Sequence, residues 1–329
     1  MKFIWFFIPL LLVASEVFYD KNISTYSLSK KYSFANFSYT ESLSYIDTNK
    51  TFINNYQKPF ITNYKTIKPK EEVLNMIDTS TFGGNLYNDV KINIFSSTNQ
   101  TLTLENINSA YTGGAHGHYY VEFQNFYRNI PIKLKDIISN YARLVIIAKK
   151  YYKFINLMKQ NQSLLDDGWF EDKFILPQQF ALTNRGILFY YNSYEIKPYA
   201  FGDTKFILPY YKIKNILKLK FPYKPIVLQN EFGKITITSN KNNINFKIKN
   251  FYYTDKEKIF IKLYNYKTIT KIYKNLEYDN IKTITIKKPK KEVIIDIKVR
   301  FDNNSMPKDR DEIPTYNTKD GLVYRISIL

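Results

Sequence analysis

The stretch Tyr111-Thr112-Gly113-Gly114-Ala115-His116-Gly117 constrains this chain more than any other. It holds three of the ten glycines and one of the two histidines. Strand-like sequence flanks it on both sides, over residues 102–110 and 119–126. Only glycine takes a positive φ without steric cost, so a Gly-Gly pair between two such runs marks a turn. Gly113, Gly114 and Gly117 are expected to let this backbone approach a neighbouring loop, with Tyr111 and His116 beside them.

The order of elements follows from periodicity. Residues 20–62 are polar and read as irregular strands. A helix is expected over 69–77, where Pro69 suits the first turn, Glu71 and Glu72 follow, and Val73, Met76 and Ile77 keep helical spacing. Residues 90–95 and 102–111 alternate and read as paired strands. Beyond the glycine turn come a strand over 119–127 and a helical start at 134–138. A helix over 141–158 carries the stripe Leu144, Ile147, Tyr151, Ile155 and Met158. Strands are expected at 180–182, 187–191 and 206–208, and a short helix at 213–217.

Phe221-Pro222-Tyr223-Lys224-Pro225 reads as a domain boundary. Eight short strand-like runs follow over 226–329 with no helical pattern, which predicts a sandwich-like β domain. The fold class expected is therefore an α+β N-terminal domain, an antiparallel sheet with packed helices over 16–220. An all-β, sandwich-like domain follows over 221–329.

Residues 1–15 read as a signal peptide. Lys2 supplies the charge, Phe3 to Val13 the apolar stretch, and Val13-Ala14-Ser15 a small-residue cleavage site. The apolar run is shorter than the ~20 residues a spanning helix needs. The mature chain would start near Glu16 and be periplasmic or secreted, with an uncleaved signal anchor as the alternative. There is no cysteine, hence no lipid-modified cysteine and no disulfide.

The net charge is +19, and residues 221–329 carry 22 Lys and Arg against 12 Asp and Glu. Two readings stay open: a compositional bias toward Lys, Asn, Ile, Tyr and Phe, or attraction to an anionic partner. Export argues against nucleic acid. The basic run Lys287-Lys288-Pro289-Lys290-Lys291 is expected to be a solvated hairpin loop.

Chemistry is sparse. If the segment from His116 is a strand, His116, His118 and Glu122 share a face and hold the ligand types for zinc or copper. The simpler reading is a turn set by glycine, with His116 bonded to a neighbouring loop. No nucleophile-elbow pattern is present, and Asp166, Asp167, Glu171 and Asp172 read as a solvated loop. The second dense stretch, 190–202, sets five aromatic rings beside Glu195 and Lys197. Such rings form platforms for sugars or protein partners. No cofactor, metal site or catalytic residue is expected.

These two stretches carry a family resemblance. Tyr111 to Gly117, Asn125-Phe126, Leu134-Lys135-Asp136, the run Phe180 to Phe189 and the run Tyr194 to Gly202 follow one another in a known order. The pattern resembles the extracellular domain of unknown function shared by RsiV-type lysozyme-sensing anti-sigma factors and the non-catalytic part of PdaC-type peptidoglycan deacetylases. Ile187 replaces a leucine of that pattern. The resemblance covers about residues 85–218. It implies an α+β domain displayed outside the cytoplasmic membrane, in proteins concerned with the cell wall or lysozyme, and it implies no catalysis.

The function expected is an exported, non-enzymatic binding module. Its partner would be peptidoglycan or another anionic envelope polymer, or a lysozyme-like protein. Tyr111, Gly113, Gly114, His116, Gly117, Tyr194, Glu195 and Tyr199 form its binding site or a structural latch. His116 is expected to hydrogen-bond to Glu195. Many lysozymes are basic and would be repelled at long range, within the ~8–10 Å that salt allows, which tilts the reading toward polymer. The alternatives are an assembly role for the β-rich domain through strand pairing, and a metal-dependent envelope hydrolase using His116, His118 and Glu122.

Overall fold

A computed structural model of the chain describes residues 24–34, 36–77, 85–98, 100–219 and 221, and strands between Ile226 and Ile328. The expected signal over 1–15 and residues 222–225 of the expected domain boundary lie outside these residues.

Six strands form the first sheet, in the order of the sequence: β1 (Thr25–Ser33), β2 (Ser38–Ile46), β3 (Leu86–Ser97), β4 (Thr101–Tyr111), β5 (His118–Tyr127) and β6 (Ile130–Ile132). All pairings are antiparallel except β2 with β3. A parallel pair needs a crossover. Helices α1 (Thr51–Lys65) and α2 (Lys70–Asn75) supply it.

Helix α1 corrects the expectation of irregular strands there. Phe52, Ile53, Tyr56 and Phe60 recur at helical spacing and pack on Ile46, Ile92, Leu102, Leu104 and Phe126 of the sheet. Pro59 inside the helix and the many polar residues between these rings hide the period. Helix α2 lies where the proline and the acidic pair place it, with Val73 buried against Tyr39 and Leu86.

After β6 come α3 (Leu134–Ile137) and α4 (Tyr141–Ile155), the latter capped by the Asn140 side chain, which accepts from the Arg143 amide at 2.9 Å. A second sheet follows, β7 (Gln179–Leu182), β8 (Gly186–Tyr191) and β9 (Thr204–Pro209), closed by α5 (Tyr210–Ile213). The expected helix at 213–217 is thus shifted. Ile213 is the last residue of α5, and Leu217 instead bridges Ile138.

Strand alternation stacks these parts in layers. Ala181, Leu188, Tyr190 and Ile207 face the first sheet at Phe95, Val121 and Phe123. Leu182, Ile187, Phe189, Tyr191, Phe206 and Leu208 face Leu144, Ala148, Tyr151, Tyr152 and Ile155 of α4. The order is α1, six-stranded sheet, three-stranded sheet, α4. All six residues of β8 are buried, as a strand covered on both faces requires.

Among the described residues the C-terminal part holds nine strands: β10 (Ile226–Gln229), β11 (Gly233–Ser239), β12 (Asn243–Asn250), β13 (Ile259–Asn265), β14 (Thr268–Tyr273), β15 (Lys282–Lys287), β16 (Val293–Val299), β17 (Tyr316–Thr318) and β18 (Gly321–Ile328). They make two antiparallel sheets, β10-β11-β12-β15 and β14-β13-β16-β18-β17. The α+β half followed by a β half is the expected class. Strands β15 and β16 belong to different sheets, and the expected basic loop after Lys287 lies outside the described residues. Ile294 of β16 joins the core beneath α4.

Candidate binding site

The glycine turn closes the β4–β5 hairpin. Gly113 and Gly114 take φ of 107° and 87°, a region that side chains disfavour. The Tyr111 hydroxyl donates to the Gly114 carbonyl at 3.1 Å and fastens the turn from within. At Gly117 a Cβ would stand 3.0 Å from the Ala110 carbonyl oxygen, where the two strands meet.

Strand β5 begins only at His118, so His116 lies in the loop and the alternation linking it to His118 and Glu122 does not apply. The His116 ring stacks on Tyr199, with centroids 4.3 Å apart and planes 16° from parallel. Tyr194 stands 6.4 Å from His116 and 5.5 Å from Tyr199. Tyr194 and Tyr199 are 56% and 39% exposed, so the three rings form a platform open to solvent. Two stretches nearly eighty residues apart in sequence thus meet, as expected.

They meet differently from the expectation. Glu195 turns back onto its own loop: its Oε2 accepts from the Asn192 amide at 3.0 Å, and its own amide donates to the Asn192 carbonyl at 3.0 Å. Burial raises the Glu195 carboxyl above its ordinary pKa, against hydrogen bonds from the backbone at Asn192 and Gln178. His116 Nδ1 lies 3.1 Å from the Gly117 carbonyl oxygen. The expected bond between His116 and Glu195 is replaced by ring stacking, because the carboxylate closes its own turn.

That turn holds Tyr194 at φ 69°, a left-handed conformation costing ~1–2 kcal/mol for a residue with a Cβ. The surroundings fix it. The Ser193 amide and hydroxyl donate to Asp203 Oδ1 at 3.0 and 2.8 Å, and the Tyr190 hydroxyl donates to the other oxygen of that carboxylate. Asn192 donates to the Val121 carbonyl at 3.1 Å and accepts from the Val121 amide at 2.8 Å, so its amide pairs with β5 as a strand residue would.

The far side of the loop is anchored by charge. Lys197 pairs with Asp167 at 2.9 Å, and Asp167 also accepts from the Tyr152 hydroxyl, which in turn accepts from Trp169 Nε1 at 3.0 Å. The Asp172 carboxylate accepts from the Leu164 amide at 2.7 Å, a bond that lowers its pKa. Asp166, Glu171 and Asp172 are exposed, as a solvated loop would have them, while Asp167 and Asp172 also hold the loop through these bonds. Phe201 lies over Gly168, where a Cβ would stand 2.7 Å from the ring.

His118 stacks on Tyr120, and Glu122 accepts from Asn106 Nδ2 at 3.2 Å. Among the described residues no group of three His, Cys, Asp or Glu side chains is placed to hold a metal ion.

The residues that bring the platform together were not legible as functional. Asn125 holds β7 by donating to the Phe180 carbonyl at 2.7 Å and accepting from the Leu182 amide at 2.9 Å and the Thr103 hydroxyl at 2.7 Å. Gln179 accepts from the Phe123 amide at 3.0 Å. Asn125 was visible only as one half of the Asn125-Phe126 pair.

Residues 133–211 match the family model described as protein of unknown function, DUF3298. That span runs from the start of α3 into α5 and includes Tyr194, Glu195 and Tyr199. No curated protein matches the chain. A solved structure of a DUF3298 family member from Bacteroides fragilis is 21% identical, with 60% of this chain and 94% of that chain covered and a TM-score of 0.47. A DUF3298 family protein from Pseudomonas aeruginosa PAO1 is 16% identical, with 62% and 99% covered and a TM-score of 0.49.

Proposed function

We propose that this chain is an exported, non-enzymatic binding module of the cell envelope that holds peptidoglycan on the His116–Tyr194–Tyr199 platform. One observation carries the reading: three rings from two distant segments are gathered in one place, His116 stacked on Tyr199 and Tyr194 tilted beside them, and left open to solvent. Aromatic faces accept the apolar faces of sugar rings, and tyrosine hydroxyls take up their polar edges. A positive φ at Tyr194 and two at the glycine turn are retained in the same place, as binding sites tend to do. The cleavable signal expected at the N-terminus and the resemblance to wall-associated domains fit the same setting.

A second reading, a wall-active protein such as lysozyme, draws on a different observation. Asp166, Glu171 and Asp172 are exposed beside Leu165 and Phe170, which are 54% and 53% exposed. In a chain of net charge +19 this is a local acidic and apolar surface suited to a basic partner.

The test is binding of the chain from Glu16 onward to insoluble peptidoglycan and to soluble lysozyme at physiological salt. Tyr199→Ala and Tyr194→Ala serve as the variants. Peptidoglycan binding lost in both variants supports the platform. Lysozyme binding that survives both and falls on charge reversal at Glu171 supports the second reading. Binding to neither removes both.

A further inference from the structure

The six-stranded sheet ends differently at its two edges. β6 is three residues long with Pro131 at its centre, and a proline has no N–H to offer a further strand. β1 is nine residues long, holds no proline and pairs with β2 over its whole length without a bulge. The bond from the Asp47 amide to the Ser24 carbonyl at 2.9 Å flanks that ladder at one end, and the bond from the Phe34 amide to the Phe37 carbonyl at 3.0 Å flanks it at the other. Alternation then gives the bonds to β2 to the even-numbered residues of β1. The peptide groups of Thr25, Ser27, Ser29, Lys31 and Ser33 turn outward, and these residues are exposed. Among the described residues no strand pairs with β1 on that side.

Lysines commonly guard such an edge, and β1 has Lys30 and Lys31. Lys30 is drawn away from it. Its Nζ donates to the carbonyls of Tyr64 and Thr66 at the end of α1, the latter at 2.9 Å, and lies 4.5 Å from the centre of the Tyr64 ring. The Ser33 carbonyl accepts from Lys70 Nζ at 3.3 Å, so the far end of the edge is partly taken. What remains is complementary to itself. With a second copy laid antiparallel and Ser29 opposite Ser29, Tyr26 meets Tyr32, Ser27 meets Lys31 and Leu28 meets Lys30. Outward peptide groups meet outward peptide groups, tyrosine meets tyrosine, and no lysine stands opposite a lysine. A register centred on Lys30 would set like charges together.

We infer that β1 is the dimer interface of this protein, where a second copy of the chain adds antiparallel about a two-fold axis at Ser29 and joins the two sheets into one. The net charge of +19 on each copy opposes the association outside the screening length, so a moderate dissociation constant of about 10 µM is expected at physiological salt. A dimer carries two platforms, and a repeating polymer can engage both at once. The inference uses none of the platform residues and its test needs no glycan, so it stands or falls apart from the platform reading.

The test is light scattering over a concentration series of the chain from Glu16 onward. Ser29→Pro removes an N–H that points to the partner and none that points to β2. Ser29→Lys sets charge on charge at the axis and serves if the proline variant does not fold. The expected result is a mass that doubles across the micromolar range. Both variants should need at least about tenfold higher concentration to associate, with the melting temperature of the monomer unchanged. Register is read by cross-linking, since the chain has no cysteine of its own. Ser29→Cys sets two thiols on residues about 5.5 Å apart at Cα, within reach of a disulfide. Ser27→Cys sets them about 13 Å apart along the strands, beyond it. Mild oxidation should link the first variant and leave the second unlinked. A chain that stays monomeric at about 1 mM overturns the inference. A dimer that survives both Ser29→Pro and Ser29→Lys, or that links at residue 27 as fast as at residue 29, also overturns it, because the copies then meet elsewhere.

Discussion

Strand β5 serves two regions built on opposite rules. Along its middle, Val121, Phe123 and Asn125 face the second sheet through buried amide clamps from Asn192, Gln179 and Asn125 itself. Beyond its start, His116 meets Tyr194 and Tyr199 through exposed rings with no side-chain hydrogen bond among them. In the seam every clamp is worth much, because removing one partner strands a buried polar group. On the platform less stability is at stake, since Tyr194 and Tyr199 stay 56% and 39% exposed. The same strand therefore separates residues that hold the fold from residues that are free to recognise something.

Four substitutions press on that contrast. Asn125→Ala removes the donor to the Phe180 carbonyl and the acceptor shared by the Leu182 amide and the Thr103 hydroxyl, which keep a 3.2 Å contact with each other, and a loss of about 2–3 kcal/mol is expected in chemical denaturation. A loss under about 1 kcal/mol would show that the seam is not held by its clamps. Gly186→Ala sets a Cβ 2.2 Å from the Leu208 carbonyl oxygen, a backbone atom that cannot yield, and about 2–3 kcal/mol is expected. Tyr199→Ala should change stability by less than about 1 kcal/mol while weakening peptidoglycan binding about tenfold. A large drop in melting temperature would instead make the rings part of the fold.

The smallest effect concerns pH. The Glu195 carboxyl has its pKa raised in the folded state, so the folded chain holds this proton more tightly than the unfolded one. Its stabilising effect is fully present below the ordinary glutamate value and is lost as pH rises through the raised one. Glu195→Gln keeps an acceptor for the Asn192 amide, and its melting temperature should vary less with pH across that window. An unchanged pH profile would mean that Glu195 is not desolvated in its turn.

How far the sequence reached depended on the range of the forces involved. Strands β3, β4, β5 and β8 were legible because alternation is a local signal, and Gly113-Gly114 marks its own turn. Helix α1 was not, since Pro59 and its polar neighbours mask the spacing of Phe52, Tyr56 and Phe60. The two dense stretches pointed to each other, but the kind of contact did not follow. A carboxylate three residues from Asn192 closes its own turn more readily than it reaches across to a histidine. Asn125 and Asn192 find partners 55 and 71 residues away, which no local pattern encodes.

Trp169 gives the molecule a reporter of its own. One of two tryptophans, it sits 4% exposed, bonded to the Tyr152 hydroxyl and packed edge-on against Tyr191. The other, Trp5, lies in the N-terminal apolar run and leaves with it if the signal is cut. Through Tyr152 and Asp167 the indole is joined to Lys197, two residues before Tyr199. The indole is thus joined by side-chain bonds to the loop that carries Tyr194 and Tyr199, and a change in the setting of Lys197 should register in its emission without a label.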